Sequence, residues 1–425
     1  MSSSLSLIRR VRARRIFNSR GEETIEVEVE TLGGRGVAAA PAGKSRGKYE
    51  VEYYPKGGVR EAIEKVRSIV EPKLVGVDAS DQELIDRILH ECDGTENFSN
   101  IGGNTAYAVS LASATAAATA RGLPLFLHLA KHDEAYLPLP LGNVLGGGKH
   151  AGKGAPDIQE FLVFPETAEN YGQAYEANIK VHRLLGKLLG NKLPDFTGGR
   201  GDEGAWAPRI GSVDALELVA RAAEDVSAET GVKVRVGLDV AASSLWNPEK
   251  QAYIYASEGK TRDRGEQLDF ILRLIEDFKL SYVEDPLEEE DFEGFSELTS
   301  KASKFGCLIC GDDLFVTNRV KLERGVKLRS ATAIIIKPNQ VGTLTDTWQT
   351  VSLALKSGMT PVASHRSGET CDPKLAHLAV AFGCPLIKTG VIGSERASKL
   401  NELIRLEEAY PEKLKIASLR FPSKP

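Results

Sequence analysis

The sequence predicts an α/β chain in which a TIM-type barrel follows a smaller α+β domain, and three observations carry that prediction. From residue 137 onward the chain is built of short, nearly continuous apolar runs separated by amphipathic stretches of helical period. These runs are EFLVF (160–164), VRVGLD (234–239), SYVED (281–285), CLICGDD (307–313), AIIIKPN (333–339), PVASHRS (361–367) and PLIKTG (385–390). Such runs are buried on both faces, as parallel strands are, and roughly seven or eight in series match a barrel. The first 135 residues have a different texture, alternating apolar and polar before turning helical. No G-x-G-x-x-G follows an early strand, which sets aside an open doubly wound sheet.

Residues 6–40 alternate in two or three runs, with turns at Asn18-Ser19-Arg20-Gly21 and Gly33-Gly34, the pattern of an antiparallel meander. Helical patterns follow at Val59–Val75, Asp81–Cys92 and Asn104–Arg121; the first two are amphipathic and the third is rich in small residues. The third lies within an uncharged stretch, Asn97 to Ala120, that is long enough to span a bilayer. Its Ala, Ser, Thr, Gly and Asn content fits a tightly packed buried helix better. The Pro-rich LPLPLGNVLGGG reads as a boundary, so the expected domains are 1–135 and 136–425. The Arg- and Ser-rich start has the composition of a transit peptide, but a hairpin beginning near Ile16 leaves little to cleave.

The 425 residues carry a net charge of -5, with 42% hydrophobic and 27% charged residues. A sizeable core is therefore expected, with no global positive field for nucleic acid or an anionic membrane. Five cysteines form no disulfide framework, which points to a reducing, cytoplasmic setting. Cys307 and Cys310 form a C-x-x-C, but odd spacing in a strand sends the thiols to opposite faces, a packing pattern.

The apolar runs are expected to end in chemistry: Glu160, Asp239, Glu284, Asp312, Lys337, His365 and Lys388. The C-terminal mouth of a barrel is where such ends converge. Each alone is explained as a helix cap or a turn, but acids on three successive strands followed by Lys, His and Lys are not. Asp239, Glu284 and Asp312 offer only oxygen ligands, which suits a hard divalent cation such as Mg2+ and not zinc. Without a cation, three converging carboxylates repel one another. A lysine near a cation and a second lysine has its pKa lowered, making it a base for a weakly acidic C–H.

Gly-rich loops serve the same mouth. Gly198 to Gly204 brings Glu203 close to a ligand, and Gly146 to Gly154 carries His150 as a flexible lid. The latter nearly spells a P-loop, but Gly154 stands where the metal-binding hydroxyl belongs and a strand follows instead of a helix. Ser364-His365-Arg366-Ser367-Gly368-Glu369 offers a guanidinium and hydroxyls to a small anion, and adjacency of His365 and Ser367 argues against acyl transfer. The other histidines, His90, His128, His132, His182 and His377, have no motif around them and are expected to be solvated or packed.

Over nearly its whole length the chain resembles enolase. The matching strings are SRG at 19–21, GGKHAG at 147–152, QEF at 159–161, GDEG at 201–204, GLDVAAS at 237–243 and VEDP at 283–286. They continue with GDDLFVTN at 311–318, KPNQVGTL at 337–344, SHRSGET at 364–370, KTG at 388–390 and SER with KLN at 394–401. The resemblance implies a modified barrel, Mg2+ dependence, a homodimer or larger homo-oligomer, and reversible dehydration of 2-phosphoglycerate, a small phosphorylated anion, to phosphoenolpyruvate. It also implies site roles. Asp239, Glu284 and Asp312 would hold the metal, Lys337 would remove the C2 proton, and Glu203 assisted by Glu160 would protonate the departing hydroxyl. Arg366 and Ser367 would hold phosphate and Lys388 the carboxylate side. His150 would close over the ligand, Gln159 and His365 would line the pocket, and Ser45 would join a second Mg2+.

The chain departs from the family pattern only at lids and rims. The first lid, S-G-A-S-T in the family, is Ala42-Gly43-Lys44-Ser45-Arg46; Lys153 replaces the Asn after HAG; Ala205-Trp206 replaces a Gly after GDEG; and Val391-Ile392-Gly393 replaces A-P-x-R. No acid, base or metal ligand is lost. The expectations compatible with this pattern are a divergent enolase, a paralogue acting on another phosphorylated or carboxylic acid, and a non-catalytic binding protein on the same fold.

Overall fold

The computed structural model describes residues 5–44, 47–130 and 135–422. An antiparallel meander of Ile8–Phe17, Glu23–Thr31 and Arg35–Ala39 opens the chain, its strands in the order of the sequence. Arg14 and Arg35 from its outer strands both pair with Glu28 on the central one, holding that carboxyl down at about 2. Helical turns follow over Gly58–Lys65, Val66–Val70 and Glu71–Leu74, then helices Gln82–Asp93 and Gly103–Ala120. Asp81 caps the first of these two helices by accepting from the Leu84 N–H. The second is the Ala-rich helix, buried on every side because small residues let the sheet lie directly on its backbone. A Cβ on Gly36 would sit 2.1 Å from the Ala112 carbonyl oxygen. Among the described residues no helix is long and apolar enough to cross a membrane.

Eight strands close the barrel. In chain order they are Leu139–Gly146, Glu160–Pro165, Val234–Asp239, Tyr282–Glu284, Leu308–Gly311, Ala333–Ile336, Thr360–Ser364 and Leu386–Gly390, the eighth pairing with the first. Two features correct the sequence-based expectation. The segment taken as a boundary, 139–146, is the first barrel strand and is buried throughout. Its prolines and glycines masked an alternation that sends Leu139 and Leu141 into the barrel interior. The second strand is antiparallel to both neighbours, so the barrel begins with a hairpin. Glu160 therefore starts its strand instead of ending it, and the reversed direction still brings it to the mouth, opposite Asp239 in register.

Alternate residues of the strands, including Leu162, Phe164, Tyr282, Leu308 and Cys310, fill the interior. Cys307 belongs to the larger core outside the barrel, so the two thiols of the C-x-x-C face opposite ways, as odd spacing requires. Burial pushes both thiols up. Ile416, Leu419 and Phe421 near the end of the chain pack on the same interior cluster. Gly36→Ala should lower the unfolding free energy by about 2 kcal/mol or more, because neither backbone can retreat. Denaturant unfolding of the purified variant checks it, and an unchanged midpoint would contradict the close approach.

Candidate active site

The strand ends and the loops after them enclose a cavity of about 180 Å³. Its wall includes His150, Gln159, Glu160, Glu203, Asp239, Asp312, Lys337, His365, Arg366, Ser367 and Lys388, so the structure brings together the residues expected from sequence. Glu284 lies just behind that wall, fully buried. Ser45 lies outside the described residues, as do Arg46 and His132.

Lys388, from the eighth strand, is the hub. Its ammonium lies 2.9 Å from Asp239, 2.8 Å from Glu284 and 3.2 Å from Glu160. Burial alone would lower its pKa; the three carboxylates raise it well above the ordinary value. Burial and then the Asp239 charge push Glu284 the other way, toward the protonated form, and its second oxygen accepts from the Tyr282 hydroxyl at 2.7 Å. Asp312 pairs instead with Lys337. Sequence reasoning expected a lysine with a lowered pKa here. Burial does act in that direction on Lys337, but the Asp312 carboxylate overrides it and the pKa is raised.

A second acid group occupies the facing wall. Glu203 accepts from Asn143 at 3.0 Å and lies 3.2 Å from His365 Nε2, with His150 Nδ1 3.9 Å away. His150 Nδ1 is nearer Glu160, at 3.2 Å. Burial opposes ionisation of Glu203, yet His365, His150 and Arg396 hold it well below the usual carboxylate range. Burial and the charge of Glu203 push Glu160 up. Two carboxyls side by side thus separate into an ionised and a protonated tendency, the arrangement that divides acid from base. In the eight-membered ring of strands, Lys337 follows the sixth and Glu160 opens the second, so they face each other across the mouth.

The phosphate-type cradle is equally built. Arg366 makes paired bonds, each 3.0 Å, to both oxygens of Glu50, and the Ser367 hydroxyl accepts from Arg20 and from the Lys44 N–H, each at 2.9 Å. His365 commits its two ring nitrogens to Glu203 and Arg396, so it is no base for Ser367. Sequence reasoning missed Glu50, Asn143 and Arg396. A lone Glu in a loop gives no signal, Asn143 sits in the Pro- and Gly-rich segment that reads as a boundary, and Arg396 lies in a matched string with no role attached.

Three of the four altered rim segments meet. Lys44 lies 3.3 Å from Asp202, the neighbour of Glu203, and a Cβ on Gly204 would sit 2.3 Å from the Ile392 carbonyl. Trp206 anchors the same loop: its N–H bonds Val144, its carbonyl accepts from Gly146, and its ring stacks on His182 at 4.7 Å between centroids. Of the remaining histidines, His90 lies 2.8 Å from Asp346 and His377 3.1 Å from Glu402, both outside the mouth.

A barrel mouth with converging buried acids, an ammonium at their centre and a second lysine on the opposite wall from a carboxyl pushed toward its protonated form defines a class. It is the class of lyases that take a proton from carbon beside a carboxylate and expel a group from the next carbon. Two family models match the chain: "Enolase, N-terminal domain" over residues 8–129 and "Enolase, C-terminal TIM barrel domain" over 134–423. The enolase of Methanothermobacter thermautotrophicus is 54% identical over 406 residues, covering 96% of this chain and 97% of its own. That of Methanosphaera stadtmanae is 52% identical over 403 residues, covering 95% and 97%. That of Pyrobaculum aerophilum is 47% identical over 414 residues, covering 96% and 98%. The chain belongs to the enolase family, and its activity is that of a phosphopyruvate hydratase, a carbon–oxygen lyase acting on a small phosphorylated acid.

The family implies a divalent cation, and acidic groups able to hold one are present. Asp285, Asp312 and Asp313 bring ligand oxygens within 4.8 Å of one another, as do the ligand atoms of His150, Glu160 and Glu203. Asp312 Oδ1 is buried and accepts no hydrogen bond, so one oxygen of the expected triad has a partner still to gain.

Burial pushes His182, under Trp206, down to about 4, so it is neutral in the fold while the unfolded chain takes up its proton near 6.5. Its stability contribution is complete above about pH 6.5 and is lost as pH falls toward 4, by up to about 3 kcal/mol. Unfolding free energies measured across that window should therefore fall less steeply in His182→Asn than in the parent. Equal slopes would contradict a buried neutral imidazole.

Proposed function

We propose that the reversible dehydration of 2-phosphoglycerate to phosphoenolpyruvate proceeds across this mouth with Lys337 on one side and the Glu203–Glu160 pair on the other. The observation that carries the division of labour is the placement of Lys337 and Glu160 on opposite barrel strands. Lys337 takes the C2 proton as the neutral amine, a form it reaches when Asp312, the carboxylate that raises its pKa, turns to another partner. The proton for the 3-hydroxyl is the one that burial and the Glu203 charge hold on Glu160; it passes through Glu203, which delivers it to the hydroxyl, and that group leaves as water as the C2–C3 double bond forms. The reverse reaction runs the same transfers backwards.

Arg366 and Ser367 bind the phosphate, Lys388 serves the carboxylate side, His150 closes over the ligand, and Gln159 and His365 line the pocket. Asp239, Glu284 and Asp312 would hold Mg2+, and their oxygen-only donor set together with the orphaned Asp312 Oδ1 fits a hard cation. When bound, Mg2+ supplies positive charge beside the substrate carboxylate and stabilises the enolate. Ser45, which lies outside the described residues, would join a second Mg2+. The same reading holds the chain to be a cytoplasmic homodimer or larger homo-oligomer, with units at 1–135 and 136–425 and no nucleic-acid or membrane partner. A cluster of buried charge of this kind has no use in a non-catalytic scaffold, and the altered rims leave every acid and base in place.

Phosphoenolpyruvate formation from 2-phosphoglycerate should be abolished by a chelator and restored by Mg2+. Lys337→Ala should lower turnover by about a hundredfold or more while calorimetric Mg2+ binding stays intact. An active Lys337→Ala enzyme would remove the base role from that residue.

A further inference from the structure

Among the described residues Arg396 is the largest side chain with no exposure at all, and it belongs to none of the roles above. It enters the rear of the mouth from helix Ser394–Ala409. Its Nη1 donates to His365 Nδ1 at 2.9 Å and to the Arg366 carbonyl at 2.7 Å. Its Nη2 donates to the carbonyls of Asp202 at 3.1 Å and Ser367 at 2.6 Å. Gly390 makes room for this: a Cβ there would sit 3.1 Å from Arg396 Cγ and 2.1 Å from the Glu203 carbonyl. One guanidinium therefore joins the loop that carries Glu203 to the turn that carries His365, Arg366 and Ser367.

The chemistry of those contacts is restrictive. A guanidinium has five donors and no acceptor and does not lose its proton in proteins. A nitrogen that receives its hydrogen bond must offer a lone pair, so Nδ1 of His365 is the unprotonated nitrogen. The ring's single proton is then on Nε2, the atom that lies 3.2 Å from Glu203 Oε1. We propose that Arg396 is a positioning residue that fixes His365 as the neutral Nε2–H tautomer, and so makes it a standing donor to Glu203, while aligning the acid loop with the phosphate turn. This rests on the placement of Glu203 in the acid role proposed above, but the tautomer itself is observable without turnover.

The surroundings of the ring agree. Burial first, and then the Arg396 charge, hold His365 at about 4, against the opposing pull of Glu203 and Glu369. At neutral pH the ring lends Glu203 an N–H and not a full charge. With Asn143 on its other oxygen, Glu203 receives two neutral donors in fixed directions. A histidine free to swap tautomers would turn a lone pair toward Glu203 for part of the time, and the carboxylate would lose its orientation.

The test is nitrogen-15 NMR of the full-length protein labelled at histidine, with the His365 resonances identified by their loss in His365→Asn. The parent should show a neutral ring protonated at Nε2 between pH 6 and 8. Arg396→Leu should show mixed tautomers or an imidazolium and lose about a hundredfold in kcat, with a smaller change in KM. Arg396→Lys, which can still donate to Nδ1, should keep the tautomer and recover part of the rate. Exogenous guanidinium should raise the rate of a folded Arg396→Ala. An Nδ1–H or imidazolium form in the parent would overturn the proposal even if no variant folds. So would an unchanged His365 spectrum in folded Arg396→Leu. If the spectrum behaves as expected and kcat does not change, the tautomer assignment stands and the acid role of Glu203 fails.

Discussion

The constraint on which this active site depends is the cost of burying carboxylates together. Glu160, Glu203, Asp239, Glu284 and Asp312 are nearly or wholly removed from water within one barrel mouth. Isolated ions in such a place neutralise or pull in partners. Both outcomes are visible. Lys388 is drawn into contact with three of the five, Lys337 pairs with Asp312, and Glu160 and Glu284 are pushed toward their protonated forms. The residues proposed to perform the reaction are thus also the residues that make the buried charge tolerable.

That double use explains the shell around them. Removing one partner from a buried charge network leaves an uncompensated ion, so each first contact is itself held by others. Glu50 fixes Arg366 from the loop after the first lid, Asn143 and His365 fix Glu203, and Arg396 fixes His365. The α+β part of the chain contributes to this directly. Gln340 Nε2 donates to Glu50 at 3.3 Å, and Asn339 Nδ2 to Asn104 at 3.1 Å, across the line between the meander with its helices and the barrel. Three of the chain's four departures from the family pattern lie on loops that touch one another at Asp202, Gly204 and Ile392, and none replaces a charged member of this network. Substitutions there keep company with each other and leave the buried charges alone.

Much of this was legible in the sequence because barrels impose a rule: chemistry gathers at one end of the strands. The meander, the Ala-rich helix and seven of the eight strands follow from period and apolar runs alone. The strand at Leu139–Gly146 was not legible, because Pro and Gly punctuate it like a linker while its leucines alternate like a strand. Strand direction was not legible either, since a run of apolar residues has the same period read either way. Glu160 was therefore assigned to the correct mouth as the wrong end of its strand. The lowered pKa expected for Lys337 failed for a different reason. Sequence supplied the neighbouring cations, but only the fold shows the Asp312 carboxylate against the amine. Glu50 and Arg396 act by contacts distant in sequence, which no local pattern encodes.

The most direct test of a mouth built to trade buried charge for cation binding is a paired measurement on Glu284→Gln. Glu284 is fully buried, leans toward its protonated form and is hydrogen-bonded at both oxygens, so a neutral isostere should leave the metal-free protein's unfolding free energy within about 1 kcal/mol of the parent's. Calorimetric Mg2+ affinity should fall by at least about tenfold in the same variant. Unaltered Mg2+ affinity, or a large loss of metal-free stability, would contradict it.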